Sequence, residues 1–241
     1  MINSVRNTVL SIISKDNRGY ITPEEFNLFA KQAQIDIFES YFYRYSDAIN
    51  KQNSKLHGSG YTDIGFKLSE VIDRFVSNSV LAYNGASQTF FAPGENPALP
   101  NEVPYYRIDR VIYNNSVEVE KVDRHIALNL LNSLDTQPSV LYPVYVLNNQ
   151  GLKIYPTIIT TNVFVDYIRY PKDPKWTYTS LSAGEPLFNQ GATDYQDFEL
   201  PLNDESNLIV KILELAGISI REQDIVQIAK QDEIQDKQEK I

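Results

Sequence analysis

The chain contains no cysteine, one tryptophan, one methionine and two histidines in 241 residues. Without thiols there is no disulfide framework, no thiolate nucleophile and no cysteine-rich zinc site. Histidine offers little more. His57 stands in the turn His57-Gly58-Ser59-Gly60 and His125 follows Asp123, and neither has HExxH or other ligand spacing around it. A serine nucleophile would need one of these imidazoles, and no GxSxG elbow or SxxK pairing accompanies them. The ten glycines never form GxGxxG or a P-loop, so nothing cradles a nucleotide phosphate. No run of about 18 apolar residues occurs, and MINSVRNTVLSIISKDN is too interrupted to read as a signal peptide. The expectation is a soluble protein made in the cytoplasm, not an enzyme, with no cofactor, metal or membrane partner.

What is present is acid and tyrosine. Thirty-one acidic against 22 basic residues give a net charge of −9, which argues against a protein that holds nucleic acid. Sixteen tyrosines and 11 phenylalanines fill a core, or serve protein interfaces, where a ring with a polar tip is favoured.

Along the chain, Val5, Val9, Leu10, Ile12 and Ile13 space a helix over 3–14. Thr22-Pro23-Glu24-Glu25 then reads as a helix start with a capping box. The long helix it opens carries one stripe from Phe26 to Ala48 and another from Leu28 to Ile49, a wide arc that leaves one stripe free to face another subunit. A third helix is expected from Thr62 to Tyr83. Residues 84–104, rich in Pro and Gly, read as an extended arm, lying on its own subunit or docking on a neighbour through Phe90 and Phe91. Asn114-Asn115 joins two strands into a hairpin, and Asp123 caps a short helix to about Asn132. Val140–Leu147, Leu152–Ile159 and Val163–Tyr170 read as a strand module, the first two joined through Asn148-Asn149-Gln150-Gly151, with Pro143, Pro156 and Pro171 confined to strand ends, edges or bulges. A helix over 203–216 ends at Gly217, and Ser219 starts a last one whose tail after Ala229 is wholly polar.

Three clusters have chemical alternatives. Ser14–Glu25 matches a calcium loop at Asp16, Gly19, Ile21 and Glu25, but Ser14 and Arg18 occupy two ligand positions, so a helix-loop-helix corner explains it without metal. Asp194, Asp197 and Glu199 could supply a hydrolase's carboxylates, though no motif surrounds them. Lys172, Lys175 and Trp176 could touch nucleic acid, stack as an interface anchor, or form a Pro-bounded corner with solvated lysines.

The runs LYPVYVLNNQGLKIYP, YIRYPKDPKW (Tyr167 to Trp176) and DFELP (Asp197 to Pro201) resemble the head-to-tail connector, or adaptor ring, proteins of crAss-like and related tailed bacteriophages, over most of the chain. The resemblance implies a structural virion protein of the neck, assembled in the host cytoplasm. It implies a homo-oligomeric ring, twelve-fold by the resemblance, that binds the portal on one side and a tail or second ring protein on the other. DNA would pass through its lumen without sequence-specific binding, and no catalytic residue is carried over. The alternative is a tail or baseplate component that contacts a host glycan or receptor. The expected fold is α+β: a helical bundle formed by the N- and C-terminal helices, with an inserted small antiparallel β module and long loops. The expectation is one connector domain, made of a helical part (1–83), the arm (84–104), the β module (105–176), a connecting loop (177–202) and C-terminal helices (203–241). The expected interface residues are Phe90, Phe91, Tyr170, Trp176 and Phe198.

Overall fold

Thr22 and Glu25 close the capping box that their spacing announces. The Thr22 N–H donates to Glu25 Oε2 at 2.9 Å, and the Glu25 N–H donates to Thr22 Oγ1 at 3.2 Å. The Thr22 N–H, and then its hydroxyl, hold the Glu25 carboxyl below its usual range. A computed structural model describes residues 1–15, 21–53, 62–100, 102–149, 151–180 and 185–217. Asp16, Arg18 and Gly19 of the calcium-like loop, His57, the helix expected from Ser219 and the tail after Ala229 lie outside the described residues.

The helices are α1 (Ile2–Lys15), α2 (Pro23–Asn53), α3 (Thr62–Asp73), α4 (Arg124–Asn132) and α5 (Glu205–Leu215). The strands are β1 (Val76–Val80), β2 (Tyr83–Asn84), β3 (Thr89–Phe90), β4 (Tyr105–Tyr113), β5 (Val117–Glu118), β6 (Glu120–Lys121), β7 (Val144–Asn148), β8 (Gly151–Tyr155), β9 (Val163–Arg169), β10 (Tyr178–Ser180) and β11 (Pro186–Phe188). These 11 strands form three sheets, so the expectation of a helical bundle with a small β insert is corrected: the described residues are a mixed α/β structure with substantial sheet. Two expectations misled. The helix expected to Tyr83 stops at Asp73 because Val76-Ser-Asn-Ser-Val pairs with β9, and the arm contains a hairpin.

The chain divides into two compact units, Met1–Ile72 with Pro171–Ile241, and Asp73–Tyr170. In the first, α5 packs on α1 and α2. The stripe Phe26, Ala30, Ala33, Ile37 and Tyr41 is buried, while Leu28 of the second stripe stands in solvent. Gln34 lies on the buried side of α2, 1% exposed, and accounts for its own amide. Its Nε2 donates to the Lys172 carbonyl at 2.8 Å and its Oε1 accepts the Glu199 N–H at 3.0 Å. Gly217, at φ +70, follows α5 and donates to the Glu214 carbonyl, the helix stop its position implies.

In the second unit, four strands run in the order β1-β9-β4-β5 and five in the order β2-β3-β8-β7-β6. The inward residues of both sheets share one core: Val111, Val163 and Val165 from the first, Phe90, Leu152 and Ile154 from the second. The three strands expected as one module are thus divided, β7 and β8 in one sheet and β9 in the other. Asn114 and Asn115 both take positive φ, and Ser116 N–H returns to the Tyr113 carbonyl, a type I′ turn whose twist matches the flanking strands. Gly151 takes φ +112 opposite Asn148, and a Cβ there would lie 2.0 Å from the Phe90 carbonyl oxygen. Only glycine lets β8 approach β3 this closely. Pro143, Pro156 and Pro171 each fall just outside a strand.

Candidate functional site

The residues expected at an interface separate into buried and half-buried. Phe90 is 1% exposed, with its ring edge-on to Tyr83 at 5.1 Å, so it fills its own unit's core rather than reaching a neighbour. The arm that carries it is pinned back: Gly94 N–H donates to Glu102 Oε2 at 3.0 Å, and the Phe91 N–H to the Ala82 carbonyl at 2.9 Å. Phe91 remains half-buried. Tyr170 is also half-buried, edge-on to Tyr106 at 5.3 Å.

Trp176 is 2% exposed. Its indole N–H donates to Asn3 Oδ1 at 3.0 Å, its main chain exchanges two hydrogen bonds with the Asn27 side chain, and the Arg6 guanidinium lies 3.7 Å from its ring centroid. Tyr178 and Phe188 stack on the same ring. Such a cation–π contact contributes about 1–2 kcal/mol when desolvated. Trp176 is therefore the centre of a packed corner, and its burial corrects the expectation that it anchors a partner. Lys31 and Lys175, at the same corner, pair with Asp173 and Asp194 at 2.6 Å each.

The acidic residues of 194–199 are each engaged separately. Asp194 is held below the usual carboxylate range chiefly by its hydrogen bond from Lys175. Asp197 accepts the Met1 ammonium at 2.9 Å and the Ile2 N–H at 2.7 Å, so it caps α1 from a distant part of the chain. Burial pushes its carboxyl up, but the ammonium and the N–H groups of Ile2 and Phe198 outweigh this and leave it lowered. Glu199 Oε2 accepts the Lys172 N–H, and Phe198 between them is buried. DFELP is thus an internal fitting, and nothing in it brings two carboxylates onto a shared opening. Asn3, Asn27 and Gln34 are the organising residues that sequence reasoning missed. Gln34 could have been found, since it sits four residues after Ala30 and three before Ile37, on the side that is buried.

A run of exposed apolar residues lies elsewhere, in the loop between α4 and β7. Leu134 is 99% exposed, Tyr142 79% and Leu141 72%, and Leu128 of α4 is exposed nearby in sequence. Single exposed apolar residues are ordinary, but several close in sequence make this segment the candidate contact surface. One open cleft is lined in part by the loop, and a second adjoins it. One, of about 310 Å³, is lined by Glu118, Glu120, Leu130, Asp135, Tyr142 and Pro143 among others. The other, of about 400 Å³, shares Glu118 and Glu120 and adds Asp109, Arg110, Lys121 and Tyr145. Burial, and then Asp109, push the Tyr145 phenol up. His125, on α4, is exposed. Among the described residues no group of three or more His, Cys, Asp or Glu is placed to hold a metal ion, and no helix is long and apolar enough to cross a membrane.

No family model matches this chain, and no curated protein matches it.

Proposed function

We propose that this chain is a structural subunit of a phage neck, forming a ring of its own copies between the portal and the tail, with DNA passing through the lumen. The observation that carries the reading is the loop with Leu134, Leu141 and Tyr142 in solvent: apolar surface of this kind is covered when a chain is part of an assembly. The resemblance of Tyr167–Trp176 and Asp197–Pro201 to connector proteins supports the choice of assembly, and the net charge of −9 is compatible with a DNA conduit. The test is mass photometry and negative-stain imaging of the purified chain, alone and with a portal complex. Rings are expected in at least one of the two, and L134S/L141S, changed only at exposed positions, is expected to stay folded and lose them. A chain that remains monomeric with the portal present, or a variant that assembles normally, refutes the reading.

A further inference from the structure

We propose that the trough beside this loop takes an extended segment of a partner protein that carries lysine or arginine between apolar side chains. The proposal names the chemistry of one partner and rests on the assembly reading above. Residues 117–121 supply the terminal strand of both sheets of their unit, β5 to the four-stranded and β6 to the five-stranded sheet. Val119 between them is buried, its N–H donating to the Val111 carbonyl at 2.8 Å. Glu118 and Glu120 on either side are both exposed, and in extended chain such i, i+2 side chains stand on one face about 7 Å apart. Asp135 lines the same cleft, so its wall carries three carboxylates and no cationic side chain, next to the apolar surfaces of Leu130, Pro143 and the exposed Tyr142.

Charge complementarity then selects the occupant. Phosphate-bearing partners, whether nucleic acid or an anionic lipid surface, are repelled by these carboxylates. A cleft of about 310 Å³ that is open to solvent is small for an enclosed ligand but takes side chains from a chain laid across it. The main chain beside the cleft is already engaged, the Glu120 N–H with the Pro143 carbonyl and the Val122 N–H with the Tyr145 carbonyl at 3.0 Å each, so the occupant is held through its side chains. The adjoining cleft holds two exposed cations, Lys121 and Arg110, the latter 3.8 Å from Glu118 with both groups exposed, and such a pair is weak enough for an incoming cation to replace.

The experiment titrates the full chain into a dye-labelled peptide alternating valine and lysine, and into the same peptide with glutamate for lysine, followed by fluorescence anisotropy. The lysine peptide is expected to bind saturably, to lose at least about tenfold in affinity to E118Q/E120Q, and to weaken as salt rises from about 0.05 to about 0.5 M. Hydrogen exchange is expected to slow over the cleft-lining loop, residues 134–142, in its presence. No binding of the lysine peptide up to about 1 mM, equal binding of the two peptides, or full affinity in E118Q/E120Q overturns the proposal. Should the double variant lose its native circular dichroism, Y142S, also at an exposed position, replaces it and must show the same weakening. Mass photometry with the portal complex reports separately. Rings without peptide binding remove this inference alone; peptide binding without rings removes the neck-ring reading instead.

Discussion

Replacing Gly151 with alanine should destabilise the unit Asp73–Tyr170 by several kcal/mol, far more than the same change at Gly85. Two costs combine. The backbone at φ +112 is strained for a residue with a Cβ, roughly 1–3 kcal/mol. The new methyl would lie 2.0 Å from the Phe90 carbonyl oxygen, a main-chain atom that cannot swing away, so β3 and β8 must separate where Phe90 pairs with Leu152. Overpacking of this kind costs roughly another 1–3 kcal/mol. The expected loss is therefore about 2–6 kcal/mol, read as a fall in the urea midpoint by far-UV circular dichroism with the slope unchanged. Gly85→Ala is the internal control: nothing lies within 4 Å of its Cβ, and the change should be neutral or stabilising by a few tenths of a kcal/mol. If G151A loses less than about 1 kcal/mol relative to that control, the close approach of β3 and β8 is wrong.

Gln34→Leu should cost about 2–4 kcal/mol, because the Lys172 carbonyl and the Glu199 N–H lose their partner; thermal unfolding measures it, and a loss within experimental error sinks the claim. Trp176→Ala should cost about 3–5 kcal/mol in urea unfolding followed by circular dichroism, since it empties the corner packed by Arg6, Tyr178 and Phe188. Asp197→Asn should cost about 1 kcal/mol near neutral pH, after allowing for solvent screening of a partly exposed group. The sign follows from its lowered carboxyl: the stabilisation is complete above the unfolded carboxylate pKa and is lost as pH falls through the folded one. The gap between wild type and D197N in urea should therefore close below about pH 4, and a gap that widens there would contradict the pairing with Met1.

Local chemistry was legible and remote pairing was not. Thr22 with Glu25, Asn114-Asn115 and Gly217 are each decided by neighbours within a few positions, so their geometry follows from propensity and capping. Val76–Val80 reads as helix because apolar residues precede it at helical spacing, and its partner β9 lies some 88 positions further on. No window of the sequence contains both. For the same reason the sequence leaves open whether Phe90 docks on a neighbour or on its own subunit, since its partner in β8, Leu152, comes about 62 positions later in the chain. At Tyr170–Trp176 and Asp197–Pro201 the sequence drew attention to positions that matter, but not to their role, since the Asn3, Asn27 and Gln34 side chains that hold them come from the other end of the chain. The exposed loop was hidden by a strand reading: Val140–Leu147 has strand composition, whereas β7 begins only at Val144 and leaves Leu141 and Tyr142 in the loop before it.

The fastening of Gln34 to Glu199 spans 165 positions, and the unit Asp73–Tyr170 lies wholly between them. During synthesis the ribosome must therefore deliver that entire contiguous stretch, and then Pro171 onward, before α1 and α2 receive α5 and Trp176. Loops of such length close late, so protection in pulsed hydrogen exchange should reach β4 and β9 before α1. Until then the apolar stripe of α2 stays uncovered in the nascent chain, and chaperone engagement should fall in that interval.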